Sequence, residues 1–279
     1  MKITVICENS VSIPVPKGLR AEHGLSFLLE GKNNILFDTG QFTLVDNLKR
    51  FGKDLQMIDK IILSHGHYDH TGGLEDFLKE RDEPISVFLH QAAFQEKVAV
   101  GEVLGKKIEI PIGFPKNRKK YENLGANFHF VKGYTQLEDN LFTISEIERP
   151  ADWESSDLRL KIKEAGQVKD DFFTDDLSIL LETDSGPVVL LGCAHAGLVE
   201  ILDDLSEKSG HQEFQAVLGG THLHSASEDY LHKAVDTLKK YQVKMIAPNH
   251  CTGFKAASFL AQNFPKEFRE ASVGQVFEF

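Results

Sequence analysis

The chain has 279 residues, 41% of them hydrophobic and 26% charged, with a formal net charge of -11. That length supports one large layered domain or two small ones, and the acidic balance argues against a general nucleic-acid binder, whose partner's backbone demands a basic footprint. No window approaches the run of about 18 apolar residues needed to span a membrane, and the widely spaced Cys7, Cys193 and Cys251 argue against a disulfide framework.

The opening Met1-Lys2-Ile3-Thr4-Val5-Ile6 reads as a strand rather than a secretory leader, so the cytoplasm is the expected location. Strands are expected at Lys2 to Cys7, Leu25 to Glu30 and Asn34 to Asp38, the last two joined by a hairpin turn at Gly31-Lys32-Asn33-Asn34. Thr43 to Phe51 has helical apolar spacing, Ile58 to Leu63 a buried strand pattern, and Leu74 to Arg81 an amphipathic helix; Ile85 to Leu89 is another strand. From about 92 to 171 the chain is charged and weakly periodic, and is read as an insertion shaping the pocket, with short strands near Phe128 to Val131 and Leu141 to Ile144. Its basic run Pro115 to Lys120 reads as a solvated face. Strand and helix then alternate: Leu177 to Thr183, Pro187 to Leu191, helix Leu198 to Leu205, Ala216 to Leu218, helix Glu228 to Lys240, Lys244 to Ala247, a helix around Ala256 to Gln262, and a last strand near Gln275 to Phe279. Strand pairs followed by strand–helix alternation, twice over, predict one domain over 1–279 with two packed sheets covered by helices. A single doubly wound sheet would instead predict a dinucleotide-binding loop at the first strand, and the sequence has none.

The chemistry concentrates at strand ends. Ile58 to Leu63 runs into His65-Gly66-His67-Tyr68-Asp69-His70, three imidazoles and a carboxylate in six residues, which is a metal-binding pattern rather than a packing one. Each later strand also ends on a histidine among small residues: Cys193-Ala194-His195-Ala196-Gly197, Gly219-Gly220-Thr221-His222 and Asn249-His250-Cys251. His195 and His250 are expected as metal ligands. His222 is either a ligand or a catalytic group that hydrogen-bonds the substrate, and His224 is a weaker candidate. Asp38, ending the third strand, could orient a ligating imidazole through its other ring nitrogen or simply cap a turn. His23 is a candidate pocket residue or a surface imidazole, and Lys255 could supply positive charge for an anionic substrate.

His65-x-His67-x-Asp69-His70 after an apolar strand, preceded by Leu36-Phe37-Asp38-Thr39-Gly40, resembles the signature of the metallo-β-lactamase superfamily. The resemblance spans nearly the whole chain and implies a four-layer αββα sandwich of α/β (α+β) class. Glu22-His23-Gly24-Leu25-Ser26, the Gly192–Gly197 and Gly219–Leu223 segments and Asn249-His250-Cys251-Thr252-Gly253 are similar to the branch related to archaeal ribofuranosylaminobenzene phosphate synthases, many of whose members are called metal-dependent hydrolases. By that resemblance His65, His67 and a third imidazole hold one metal, and Asp69, His70 and His250 the other. His195 is the candidate for the third imidazole or for the bridging position. The chain departs from the commoner hydrolases, which carry a His upstream of a bridging Asp or Cys; here Asp175-Asp176 stands in that region, so Asp176 is an alternative ligand.

The expected reaction is hydrolysis of a small, anionic, phosphorylated or phosphodiester substrate by a metal-activated water, with Asp69 and His222 as catalytic groups and one or two Zn²⁺, or alternatively Mn²⁺ or Fe, as cofactor. The alternatives are a synthase-like transfer in pterin biosynthesis, in which metals stabilise a leaving diphosphate, and a non-catalytic or redox metal protein. No nucleic-acid or membrane partner is expected.

Overall fold

The computed structural model describes residues 1–279 apart from Leu104, Asp152, Glu154 and Ser156, with Val103 described by its backbone alone. In chain order the first half forms β1 (Lys2–Cys7), β2 (Ser26–Glu30), β3 (Asn34–Phe37), α1 (Leu44–Arg50), β4 (Lys60–Ile62), α2 (Tyr68–Thr71), α3 (Leu74–Lys79) and β5 (Ile85–Leu89). The middle forms β6 (Glu96–Val103), β7 (Lys106–Pro111), α4 (Arg118–Asn123), β8 (Ala126–Phe130), β9 (Thr135–Glu138), β10 (Leu141–Ile144), β11 (Leu160–Glu164) and β12 (Gln167–Asp170). The last part forms β13 (Ser178–Thr183), β14 (Gly186–Leu191), α5 (Leu198–Ser209), β15 (Ala216–Gly220), α6 (Glu228–Lys240), β16 (Ile246–Asn249), α7 (Phe254–Asn263) and β17 (Val276–Glu278).

The central strands of the two large sheets are apolar on both faces because both faces are covered. One sheet has the order β17-β1-β2-β3-β4-β5-β8, the other β16-β15-β14-β13-β10-β9. Alternate residues Val5, Phe27, Leu29 and Phe37 of the first sheet meet Ile179, Leu181, Val188 and Leu190 of the second in the central core. The intervening residues point outward, Leu28 and Leu36 against Leu44, Leu48, Leu74 and Phe77 of the helices on one side. Leu180, Val189 and Leu191 pack on the other side against α5 and α6 through Leu198, Leu202, Leu231 and Val235. This is the αββα sandwich expected from the sequence.

The parallel strands set where a site can form. In the first sheet β3, β4, β5 and β8 run parallel, and in the second β14, β15 and β16 do, with α5 and α6 as the crossovers. Ligands bind at the carboxyl ends of such strands, where loops leave the sheet and the backbone is free to carry polar groups.

The stretch 92–171 divides between three sheets. β8 extends the first sheet beside β5, and β9 and β10 extend the second beside β13. Only β6, β7, β11 and β12 stand apart, as a four-stranded sheet of order β12-β11-β6-β7 built from two segments distant in sequence. Its periodicity is weak in the sequence because its strands are largely exposed, as β7 and β12 show. Among the described residues no helix is long and apolar enough to cross a membrane.

Candidate metal centre

The turn after β4 is built for close approach. A Cβ on Gly66 would overlap the Ala93 carbonyl, so only glycine lets the chain pass between His65 and His67 at this point. The short helix α2 then carries Asp69 and His70, with His67 as its N-terminal flanking residue. Gly192, after β14, is equally constrained, since a Cβ there would overlap the Ser64 side chain.

Two groups of donors result. In the first, His65 Nε2 lies 2.9 Å from His67 Nδ1, and His195 Nε2 lies 3.2 Å from each of them. In the second, His250 Nε2 is 3.2 Å from His70 Nε2 and 3.3 Å from Asp69 Oδ2. His23 Nε2 approaches the same Asp69 oxygen at 3.2 Å. Cys193 Sγ lies between the groups: it is 3.1 Å from His70 Nε2 and belongs to mutually close donor sets with His65 and His70, with His195 and His222, and with His250 and Cys251.

The donor chemistry fits a metal ion. Three imidazole nitrogens at mutual separations of 2.9–3.2 Å cannot all be satisfied by N–H···N hydrogen bonds, whereas a cation satisfies all three lone pairs. Burial, together with the neighbouring positive charge of Lys97, pushes the His67 imidazole down to about 3, and burial first and neighbouring imidazoles second hold His65 and His195 well below the ordinary range. All three rings are therefore neutral and able to ligate near pH 7. Burial pushes the Asp69 carboxyl up, but the neighbouring His70 and the hydrogen bonds from His23 and His250 outweigh it and keep it an anion.

Asp38 orients this assembly. Its Oδ2 is 2.6 Å from His70 Nδ1 and accepts the Ser64 hydroxyl at 2.7 Å, while Oδ1 accepts the Ser64 amide at 2.7 Å. The carboxylate thereby holds a proton on His70 Nδ1 and leaves Nε2 toward the cluster. His222 lies beside His195, with ring centroids 4.3 Å apart, and His224 packs edge-on against His222. Asp176 Oδ2 accepts the Ala196 amide at 2.8 Å, its Oδ1 is buried without a hydrogen-bond partner among the described residues, and burial raises its carboxyl to about 7. Lys255 is exposed near the start of α7, in a separate groove with Glu228 and Phe259, because Gly253 turns the chain outward before the helix begins.

A cavity of about 480 Å³ opens over these residues, with His23, Asp69, His195, His222 and His250 in its wall. The four-stranded sheet supplies the opposite chemistry, through Ala99, Val100, Ile110 and Leu160.

A family model described as the metallo-beta-lactamase superfamily matches residues 19–250. The chain belongs to that superfamily. Within it, the chain is 32% identical over 295 aligned residues to the 7,8-dihydropterin-6-methyl-4-(beta-D-ribofuranosyl)-aminobenzene-5'-phosphate synthase of Methanocaldococcus jannaschii, covering all of this chain and 97% of that one. An uncharacterized protein of the same organism is 33% identical over 245 residues, 87% of this chain and 88% of that one. A solved superfamily structure, Tm1679, described as a metal-dependent hydrolase, superposes with a TM-score of 0.85 at 27% identity, covering all of this chain and 99% of that one.

The superfamily motif gave no direct sign of what supports the His65–His67 turn. Lys97 of β6 is fully buried, its Nζ 2.6 Å from Asp171 Oδ2 and 3.0 Å from Asp175 Oδ1, and Asp175 Oδ2 accepts the Gly66 amide at 2.9 Å. Phe173 stacks on His195 with centroids 4.6 Å apart and planes within 9°. The available signal was the pair of carboxylates at Asp175-Asp176; Lys97 itself is one lysine among many in a charged stretch.

Proposed function

We propose that this chain is a metal-dependent synthase that couples a diphosphate-activated donor to an aromatic amine bearing a ribose 5'-phosphate. The carrying observation is the two-sided cavity: imidazole, thiol and carboxylate donors form one wall, and apolar residues of the four-stranded sheet form another. Such a cavity fits a ligand that is partly aromatic ring and partly phosphate. The full-length relative in M. jannaschii is named for a product of that composition.

In the coupling assigned here, a C–N bond forms between the donor's methylene carbon and the amine, the C–O bond to diphosphate breaks, and the amine loses one proton. His65, His67 and His195 would hold one metal, and Asp69, His70 and His250 a second, with Cys193 between them. The mixed imidazole, thiol and carboxylate set favours Zn²⁺ over Mn²⁺ or Fe, which elemental analysis of purified protein distinguishes. The bound metal supplies Lewis acidity that neutralises charge on the departing phosphate oxygens. His23 Nε2, on a side chain that is more than half exposed and 3.2 Å from Asp69 Oδ2, takes the amine proton out to solvent, and the Asp69 carboxylate, besides holding metal, orients that imidazole. His222 hydrogen-bonds the substrate beside His195, and the apolar wall excludes water that would compete with the amine.

Hydrolysis is the second reading, favoured by the superposition with Tm1679. There water takes the place of the amine over the same donors. One experiment separates the two: zinc-loaded protein is given dihydropterin-6-methyl diphosphate with and without 4-(β-D-ribofuranosyl)aminobenzene 5'-phosphate. Diphosphate release that requires the amine, with the coupled mass appearing, supports synthesis. Release that ignores the amine supports hydrolysis, and no release in either case defeats both for this donor.

A further inference from the structure

We infer that Arg159 is the phosphate anchor of the cavity, positioned by Asp157, and that it selects organic phosphate monoesters whose apolar part lies along the β6–β7 wall. The inference rests on the reading of a phosphorylated substrate made above. Among the described residues that line the cavity, Arg159 is the sole Arg or Lys. In a chain of net charge -11, an anion needs such a local cation to enter and stay.

The side chain is held as a prepared group. Asp157 Oδ1 accepts the Arg159 amide at 3.1 Å and Nε at 2.8 Å, and Asp157 Oδ2 accepts Nη2 at 2.6 Å. The Arg159 carbonyl in turn accepts the Val100 amide at 2.8 Å, which fixes the segment to β6. Asp157 is buried, whereas the Arg159 side chain is 66% exposed. A guanidinium has five N–H donors, and this carboxylate occupies only the edge formed by Nε and Nη2. The other edge, formed by Nη1 and the second Nη2 hydrogen, meets no acceptor among the described residues and has the two-pronged geometry that matches phosphate. Lys97, the one cation in the β6 sequence, is fully buried and consumed by Asp171 and Asp175. The neighbours of Arg159 in the wall, Ala99, Val100, Ile110 and Leu160, offer no side-chain hydrogen bonds and so leave ring contact as their contribution.

The test is isothermal titration of zinc-loaded full-length protein with phenyl β-D-ribofuranoside 5-phosphate and with the unphosphorylated riboside. Wild type is expected to prefer the phosphate about 10–100-fold, in line with charged hydrogen bonds. Arg159→Ala abolishes that preference without changing affinity for the riboside, Arg159→Lys restores part of it, and Asp157→Asn weakens it several-fold. Equal preference in wild type and Arg159→Ala overturns the anchor and leaves the phosphorylated-substrate reading standing. A wild type that shows no preference, or binds neither compound, overturns both.

Discussion

Five residues around the site adopt left-handed backbone without being glycine: Asp38 (φ 63°), Phe173 (φ 49°), Ala194 (φ 53°), His222 (φ 49°) and His250 (φ 49°). Each follows a strand, and the turn re-aims a side chain that would otherwise continue the sheet's alternation. Such conformations cost on the order of 1–3 kcal/mol each and persist only where the surroundings impose them. Asp38 permits a clean test, because Asn tolerates the same backbone. Asp38→Asn removes the charge at His70 Nδ1 and is expected to weaken metal binding about 10–100-fold. Competition with a chromophoric chelator measures this, and unchanged affinity would mean that Asp38 acts only as a turn cap. The histidines also set a pH dependence for the metal-free protein. His65, His67 and His195 bind protons less readily folded than unfolded, His67 only near pH 3. The unfolded chain therefore binds more protons below about 6.5, and stability falls as pH drops from there toward 3. His70 and His222 are raised instead, despite burial, by Asp38 and Cys251 respectively. Their contribution is complete below about 6.5 and is lost only at higher pH, so it does not offset the acid limb. Denaturant melts of chelated protein between pH 4 and 7 should show midpoints rising with pH; a flat profile contradicts the burial of neutral imidazoles.

At the scale of elements, the HxHxDH segment depends on a partner it does not contain. The turn at Gly66 is tied through Asp175 to Lys97, on a strand of the separate four-stranded sheet. Removing one member of a buried ion cluster leaves the others uncompensated, at a cost of about 3–5 kcal/mol. Lys97→Met keeps most of the side-chain volume and strands Asp171 and Asp175, so urea denaturation should show a loss of that order together with weaker metal binding. A variant as stable as wild type would mean that water replaces the ammonium. The strand before His65, the helices α5 and α6 and the strand-end histidines were legible in the sequence, because burial on both faces and amphipathic spacing are local patterns. The strut was not legible: Lys97 and Asp175 are 78 residues apart, and a lysine's sequence neighbourhood carries no mark of burial.

For the molecule as a whole, the central core and the two helix-covered faces are three large clusters of buried apolar residues that include none of the donors. The fold is therefore expected to survive loss of metal, unlike a small domain whose folding is metal binding. His67→Ala or His70→Ala should remove most bound metal while far-UV circular dichroism stays close to that of wild type. Retained metal in both variants would defeat the ligand assignment, and collapse of the spectrum would show that metal holds the sandwich together.

The sequence by itself determined the layers and the chemistry at strand ends: alternation sets which residues enter the core, and a strand running into clustered histidines sets what its loop can bind. Tertiary structure decided how those loops group. It put His195 with His65 and His67, Cys193 between the two donor sets, and Lys255 away from the cavity. It also divided the charged middle of the chain between three sheets and turned one of them into the apolar cavity wall that carries Arg159. These outcomes depend on which distant strands pair and on where the backbone turns left-handed, and neither is encoded in the spacing of nearby residues.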